Sequence, residues 1–430
     1  MQGARNFINM IPKYQSHYSR RKNPKKVYLD CDITIVGLHR NYQQYCRENR
    51  IPIISADRFR RLFGSEFNIG FKLPKSDTCA KCDSLTIKLA NCTDEEEKRL
   101  LTADRDKHLE KAQTGQDNIK KLAELAKKEP EKYHTIALDL QQALPTPKLT
   151  VGPAFYKRKL FTYNLGIHNC GTNQGYMMMW EESTAKRGSE EICSALLTYI
   201  ERVNLQSDEL HIITDNCRGQ NKNWNLIALY ECLVRNGKFK KVVHHYPEVG
   251  HTYLPCDRDF GRIESHVRRH HPNIYSPDHW ATVIKEAGKA KSFEVHMLKQ
   301  SDFVSIKPIS DLIHKKASND KTRKLRFADA SAFIIDAEKP GYLTIKHSEE
   351  EESVFIRRSG RTRAFDSLPN KYTGPVNIQA AKLTDVKFLL QWIPPVYHSF
   401  YEKLIATEPS SDRVLLVDEI DREDESIDQD

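Results

Sequence analysis

Long hydrophobic runs are absent from this 430-residue chain. No stretch approaches the roughly 20 apolar residues that a membrane-spanning helix needs, so we expect no membrane partner. The N-terminus, MQGARNFINMIPKYQ, lacks an apolar run followed by a cleavage site, which predicts that the protein is not secreted. Hydrophobic residues make up 39% of the chain and charged residues 29%, a balance typical of a globular protein with two to four domains.

Closely spaced cysteines are scarce. Of the ten cysteines only Cys79 and Cys82 form a CxxC pair, and a second CxxC is missing. Without a secretion signal this indicates reduced thiols. A CxxC pair brings two thiolates together, as structural Zn²⁺ requires, but two further ligands must come from elsewhere. The alternative is a pair of unliganded thiols. The candidates for the further ligands are Cys92, His108, Cys31 and His17.

Negative charge is sparse near the N-terminus. Residues 1–75 hold 15 Lys and Arg against 5 Asp and Glu, whereas residues 412–430 hold 9 Asp and Glu against 2 Arg. A basic arm is typical of polyanion-binding proteins, so DNA is the expected partner. The run RRKNPKK (20–26) fits a nuclear-import pattern, and we expect a nuclear protein. The acidic tail is expected to be disordered.

Two short helices are predicted within the basic region. Residues 33–49 and 55–67 carry apolar residues at helical spacing, and Ser55 is a good N-cap. The pair favours a helix-turn-helix-like unit in residues 1–75, and an ordinary helical hairpin is the alternative. Residues 76–132, with the CxxC pair and a highly charged helical run, are predicted to be a spacer. In the first reading three arginines of the second helix point toward DNA: Arg58, Arg60 and Arg61.

Beyond residue 133 strand-like and helix-like runs alternate. The pattern predicts three successive strands and then helix, strand, helix, strand and helix, which is an α/β fold with a mixed sheet over residues 133–285. A separate C-terminal α+β domain is predicted over residues 286–411. Its strand-like runs are FVSIKPI, AFIID, GYLTIKH and SVFIRR, followed by a helical stretch at 382–405 that is interrupted at Pro394.

Three acidic residues occupy comparable places in this order of elements. Asp139 ends the first strand, Asp215 ends the fourth, and Glu264 lies in the last helix. The first and fourth strands are expected to be neighbours, so the two aspartates should meet at one end of the sheet. Carboxylates from separate segments can hold two Mg²⁺ or Mn²⁺ ions about 4 Å apart for phosphodiester chemistry. Asp257 or Asp259 could replace Glu264 as the third ligand.

Basic residues near these acids fit a nucleic-acid substrate. Lysine and arginine neutralise phosphate oxygens and so hold a strand beside a metal site. Surface solubility is the alternative explanation for any one of them. The candidates for DNA contact are Lys157, Arg158, Arg218, Lys222, Arg262 and Arg268.

Strand order and acid placement resemble the RNase H-like catalytic core of the DDE family of transposases and integrases. The stretches that carry a closer resemblance to transposon-derived proteins, over about residues 16–405, are LDLQQALPTP, FYKRKLFTYNLGIH, TDNCRGQNKNW, GHTYLPCDRDFGRIE and PKSDTCAKCD. The resemblance implies that Asp139, Asp215 and Glu264 are the metal-binding acids. Several transposase superfamilies place a histidine between the second and third acids, and His251 would take that catalytic part. Those families often have Cys or Asp where this chain has Glu248, and His251 could instead cap a turn.

The expected function is therefore that of a transposase-like DNA endonuclease and strand transferase. The resemblance also implies a homo-oligomer on DNA. Two alternatives stay open. One is a non-catalytic, transposon-derived DNA-binding protein, and the other is an RNase H-like nuclease unconnected with transposition.

Overall fold

A computed structural model of the protein describes residues 1–11, 14–15, 27–29, 33–71, 79–288, 292–314, 327–347, 350–358 and 367–406. The run RRKNPKK, the zinc candidates Cys31 and His17, and the acidic tail lie outside these residues. None of the helices in the described ranges combines the length and apolar character needed to cross a bilayer. The chain divides into two compact units: Met1–Glu110 with Val249–Tyr253, and Lys111–Glu248 with Leu254–Asp430.

Three helices form the core of the first unit: α1 (Gln2–Met10), α2 (Ile35–Glu48) and α3 (Ala56–Glu66). The two predicted helices are present as α2 and α3, and each begins at a side-chain cap. Thr34 accepts a hydrogen bond from the backbone of Gly37, and Ser55 accepts one from Arg58. Helix α1 was not predicted, because only Ala4 and Ile8 of its nine residues are buried.

The rest of the first unit is a small sheet and a helical hairpin. Its strands are β1 (Tyr14–Gln15), β2 (Val27–Leu29) and β3 (Ile69–Phe71), with β1 antiparallel and β3 parallel to β2. The hairpin consists of α4 (Ala80–Asn91) and the start of α5 (Glu95–Lys128). Helix α5 confirms the predicted charged helix, and its acidic first turn and basic last turn suit the helix dipole.

The second unit is built on one ten-stranded mixed sheet, which confirms an α/β fold. Strand β6 is antiparallel to β4, β7 is antiparallel to β6, and β8 and β9 run parallel to β4. The order across the sheet is β10-β7-β6-β4-β8-β9-β11-β12-β13, and β5 pairs with β6. The strands are β4 (Tyr133–Leu140), β5 (Leu144–Thr146), β6 (Leu160–Asn169), β7 (Gln174–Glu181), β8 (Glu209–Ile213), β9 (Lys241–His245), β10 (Phe293–Met297), β11 (Ala332–Asp336), β12 (Tyr342–Lys346) and β13 (Glu351–Phe355).

Helices cover both faces of this sheet. Alternating strand residues point to opposite faces, so Ile136 packs with residues of α7 and α8, and Ala137 packs with residues of α9 and α10. Both layers are therefore fixed by the apolar pattern of the strands. The helices are α6 (Gly152–Phe155), α7 (Ser189–Arg202), α8 (Trp224–Arg235), α9 (Pro255–His270), α10 (Pro277–Ala287), α11 (Lys307–Ser310), α12 (Ala380–Leu389) and α13 (His398–Ile405).

The C-terminal strands differ from the predicted separate domain. Strand β10 lies parallel to β7, and β11 lies antiparallel to β9, so the C-terminal strands extend both edges of the same sheet. The FVSIKPI run forms an isolated bridge at Val304 and the short helix α11 instead of a strand. Sequence alternation identifies a strand but not its partner, and the open edges of the central sheet supply partners here.

Candidate functional site

The two predicted aspartates meet at one end of the sheet by backbone register. The adjacent parallel strands β4 and β8 pair Ala137 with Ile213. Asp139 and Asp215 each lie two residues beyond this last pair, at the end where β8 stops. On its other side Asp139 pairs with Gly166 of β6. Asp139 is thus paired within the sheet, whereas Asp215 lies two residues beyond the end of β8.

Asp215 is held by the loop that follows it. Its Oδ1 accepts hydrogen bonds from the backbone N of Cys217 at 3.1 Å and from Nδ2 of Asn221 at 2.6 Å. Burial raises the pKa of Asp215, while these two hydrogen bonds favour the charged form. The polar residues after β8 thus hydrogen-bond one carboxylate oxygen of Asp215, and they also lead into α8.

A buried histidine supports the same loop from below. His244 is fully buried, and its Nε2 lies 2.9 Å from the hydroxyl of Thr214, which donates to the carbonyl of Asp215. The hydroxyl of Tyr230 lies 3.0 Å from Nδ1 of the ring. Burial places the pKa of His244 well below its usual value, so the ring is neutral. Its hydrogen bond therefore orients the Thr214 hydroxyl without adding a charge to the site.

The first turn of α9 approaches Asp139. A Cβ atom on Gly166, which pairs with Asp139, would lie 2.6 Å from the ring of Phe260 and 3.6 Å from Cβ of Cys256, so the first two turns of α9 pack against β6 here. Burial raises the pKa of the Cys256 thiol strongly, and the negative charges of Asp139, Asp257 and Asp259 raise it further. Asp257 also accepts a hydrogen bond from the backbone N of Leu254 at 2.8 Å, which caps the helix.

The other two candidates for the third acid have different surroundings. Glu264 is exposed and lies seven residues beyond Asp257, about 10 Å further along the helix axis. Asp259 is buried, with Oδ2 at 2.6 Å from Nδ1 of His168. Asp257, an alternative in the sequence analysis, directly follows Cys256, whose thiol pKa is raised by burial and by the charges of Asp139 and Asp257. The helical pattern predicted α9 but not the height at which it meets the sheet.

The first unit contains a second cluster of potential metal ligands. One nitrogen or sulfur atom from each of Cys79, Cys82, His108 and His251 lies within 4.8 Å of all the others. Sγ of Cys79 is 3.2 Å from Nε2 of His108, and Sγ of Cys82 is 3.3 Å from Nε2 of His251. The two Nε2 atoms are 3.1 Å apart. Two thiols and two imidazoles at these separations could hold a metal such as zinc.

Three chain segments supply this cluster. Cys79 is the N-cap of α4 and Cys82 lies in its first turn, while His108 lies across the hairpin on α5. His251 comes from the segment Val249–Tyr253. Gly250 has φ +78°, and a Cβ there would lie 2.7 Å from Cβ of Cys79. Glycine is therefore needed at this position, both for its backbone conformation and for the close approach.

Two predicted roles are corrected by this cluster. Cys92 is not a member, because it ends α4 and its Sγ lies 3.3 Å from the carbonyl of Asp94 and 3.5 Å from the carboxylate of Glu97. His251, predicted to assist catalysis, is instead the fourth member. It lies 143 residues beyond His108 in the sequence, so spacing gave no signal for it.

The predicted DNA-binding residues fall into two groups. Lys222 is 3% exposed. Its Nζ donates to Oδ1 of Asn216 and to the carbonyls of Ala328 and Ala330. Lys222 therefore holds the loop after β8 in place and is not a DNA contact. Burial lowers the pKa of Lys222 to about 8. Lys157 and Arg158 share the carboxylate of Asp385. Arg158 is nevertheless exposed, and the other exposed candidates are Arg58, Arg60, Arg61, Arg218, Arg262 and Arg268.

Comparison with known proteins gives one family match. Residues 156–336 match a family described as a domain of unknown function, DUF7869. The match covers less than half of the chain and includes Asp215 and Asp257 but not Asp139 or the CxxC pair. No curated protein matches the chain. Over residues 156–336 the chain is thus similar to a family whose own function is not described.

Proposed function

We propose that the protein is a transposase-like, divalent-metal-dependent DNA endonuclease and strand transferase with an RNase H-like core. The observation that carries this proposal is the parallel pairing of β4 with β8, which brings Asp139 and Asp215 to one end of the sheet. Strands β4, β6 and β7 are antiparallel in succession, β8 lies beside β4, and β9 lies beside β8. This is the arrangement that the resemblance to the DDE family implies.

The donor set suits Mg²⁺ or Mn²⁺. Both ions prefer hard oxygen ligands, and Asp139, Asp215 and Asp257 offer carboxylates from three separate segments. Burial raises the pKa of Asp215, so a nearby cation would relieve the cost of its ionisation. Two such ions, if held by these carboxylates, would supply an activated hydroxyl and stabilise the leaving oxygen. We propose Asp257, rather than Glu264, as the third metal-binding acid.

The protein's own residues orient the substrate and the acids. Asn221 and the backbone of Cys217 fix one oxygen of Asp215, so its other oxygen has a defined direction. Arg218 is exposed three residues after Asp215 and can take up a phosphate oxygen. Arg58, Arg60 and Arg61 are exposed on α3, where they can contact the phosphates of a DNA end.

We also propose that Cys79, Cys82, His108 and His251 bind structural Zn²⁺. Two thiolates and two imidazoles are a preferred donor set for zinc, and four protein ligands complete a tetrahedron. Such a closed site leaves no position for substrate or water. Zinc here would stabilise the fold of the first unit and take no part in DNA cleavage.

The test is a nicking assay on labelled DNA with Mg²⁺ or Mn²⁺. We expect Asp215→Asn and Asp257→Asn to reduce cutting by at least about 100-fold, the loss typical when a charge-stabilising group is removed. Glu264→Gln, on the same helix, is the matched control and should keep most of the activity. If the wild-type protein cuts none of the DNAs offered, or Asp215→Asn cuts at the wild-type rate, the proposed reaction is wrong. Full activity in Asp257→Asn with loss in Glu264→Gln would return the third place to Glu264.

A further inference from the structure

Two adjacent aromatic side chains are the most exposed large hydrophobic residues in the described part of the chain. Phe155 is 82% exposed and Tyr156 is 84% exposed. Their ring centroids lie 5.2 Å apart with the planes at 83°, so each ring leaves a face open. Ala154, one residue earlier on α6, is buried and anchors the segment. Two aromatic rings exposed to this degree form a contact surface rather than part of a core.

The pair lies at the end of the sheet that carries the carboxylates. Strand β6 is antiparallel to β4, with Leu165 opposite Leu140, and β6 begins at Leu160. The segment between β5 and β6 therefore enters the sheet beyond the end of β4, on the side where Asp139 lies. Phe155 and Tyr156 are in this segment, which places them beyond the same end of the sheet as the acids.

Positive charge surrounds the two rings. The stretch from Leu144 to Thr162 contains no acidic residue and four basic ones: Lys148, Lys157, Arg158 and Lys159. Asp385 contacts Lys157 and Arg158 through one carboxylate, so its single negative charge leaves the cluster positive. Within the described ranges, neither Lys148 nor Lys159 has an ion pair. Burial lowers the pKa of Lys148, and the positive charge of Lys159 lowers it further.

We propose that Phe155 and Tyr156 stack against unpaired bases of a nucleic-acid strand whose backbone contacts these basic residues. Exposed aromatic rings beside cations are the usual platform for single-stranded nucleic acid, because every base has a face that can stack and a phosphate that needs a counter-charge. The inference rests on the proposed function and narrows it. The preferred substrate is DNA with an unpaired segment next to the cleaved bond.

A second exposed aromatic pair supplies the matched control. Tyr342 and Phe355 lie on neighbouring strands with ring centroids 5.1 Å apart, and they are 40% and 43% exposed. Tyr342 pairs directly with Phe355, and β13 also carries Glu351 and Glu352. Removing these rings changes exposed aromatic area without changing the basic surface.

The test is binding of the full-length protein, without divalent metal, to labelled duplex DNA with and without a 3′ overhang. We expect Phe155→Ala/Tyr156→Ala to weaken binding of the overhang DNA about tenfold or more and to leave the blunt duplex unchanged. 2-Aminopurine placed in the overhang should lose fluorescence with the wild type and not with this variant. Phe155→Trp/Tyr156→Trp should restore both signals, and Tyr342→Ala/Phe355→Ala should leave both unchanged.

Equal binding of overhang DNA by the wild type and the double alanine variant overturns the inference, and the surface would then serve a protein partner. Cleavage is measured separately. If the wild type binds the overhang through these rings and never cuts DNA, the stacking surface stands and the proposed reaction fails. If it cuts blunt and overhang DNA equally, and the alanine variant does the same, the reaction stands and the stacking surface fails.

Discussion

The carboxylate end of the sheet and the cysteine–histidine cluster gather ligands in opposite ways. Asp139 and Asp215 lie at the same end of two adjacent strands, β4 and β8. Cys79 and His251 meet although 172 positions separate them in the numbering, through a glycine that permits close approach. The first site depends on a regular sheet that many side chains support. The second depends on its own ligands, so metal binding and folding are expected to be one process there.

Removal of the proposed zinc ion should produce the largest effect. A chelator, or Cys82→Ser, should unfold the first unit, because zinc binding typically supplies several kcal/mol or more of folding free energy, on the order of 10 kcal/mol in isolated zinc modules. Circular dichroism and metal analysis would show the loss of helix together with about one equivalent of zinc. Cys92→Ser is the matched control and should keep both. If the melting curve is unchanged after treatment with the chelator, the cysteine–histidine cluster does not depend on metal for its folding, and this difference between the two sites disappears.

Loss of the hydrogen bond from Asn221 to Asp215 should have an intermediate effect on stability. Asn221→Ala deletes the 2.6 Å hydrogen bond to Oδ1 and should cost about 1–2 kcal/mol of unfolding free energy. That hydrogen bond lowers the pKa of Asp215, so without it the rise of cutting rate with pH should move to higher pH. Chemical denaturation and a pH–rate profile would measure the two effects.

Asn223→Ala is the control for this second prediction. Asn223 caps α8 by accepting from the backbone of Asn225 and Leu226, so its loss should cost about 1 kcal/mol. It does not contact the carboxylate of Asp215, and the pH profile should not move. A profile shifted equally in both variants would reduce Asn221 to a purely structural role.

Asp215→Asn should produce the smallest effect on stability. Burial raises the pKa of Asp215, so the metal-free folded state binds this proton more tightly than the unfolded chain does. Stability therefore falls as pH rises from the ordinary carboxyl value of about 3.9 through the raised pKa. Asparagine removes that decline, and the variant should melt about 2 °C above the wild type at pH 7, with the advantage vanishing toward pH 4. An advantage that grew as the pH fell would reverse this assignment.

Much of the second unit could be predicted from its sequence. Helix caps, apolar periodicity and strand-ending acids are local features, and they predicted the presence and order of β4, α7, β8, α8 and α9. The prediction that the first and fourth strands are neighbours is confirmed by the β4–β8 pairing. The signals for these elements lie within the elements or a few residues from them, so a single sequence is enough to find them.

Non-local features could not be predicted in the same way. The pairing of β10 with β7 depends on which sheet edge is open, and the position of His251 depends on a loop 169 residues from Cys82. The choice between Asp257 and Glu264 depends on where α9 begins against β6. Lys222 looked like a phosphate ligand because its sequence neighbours are polar, yet three oxygens inside the fold surround its ammonium group.

The thiol of Cys256 gives the chain an uneven sensitivity to oxidation. Oxidants and alkylating reagents attack the thiolate, and burial among three carboxylates keeps this sulfur protonated. Cys82 is partly exposed and belongs to a cluster whose proposed role requires a thiolate. Oxidative damage should therefore reach Cys82 before Cys256.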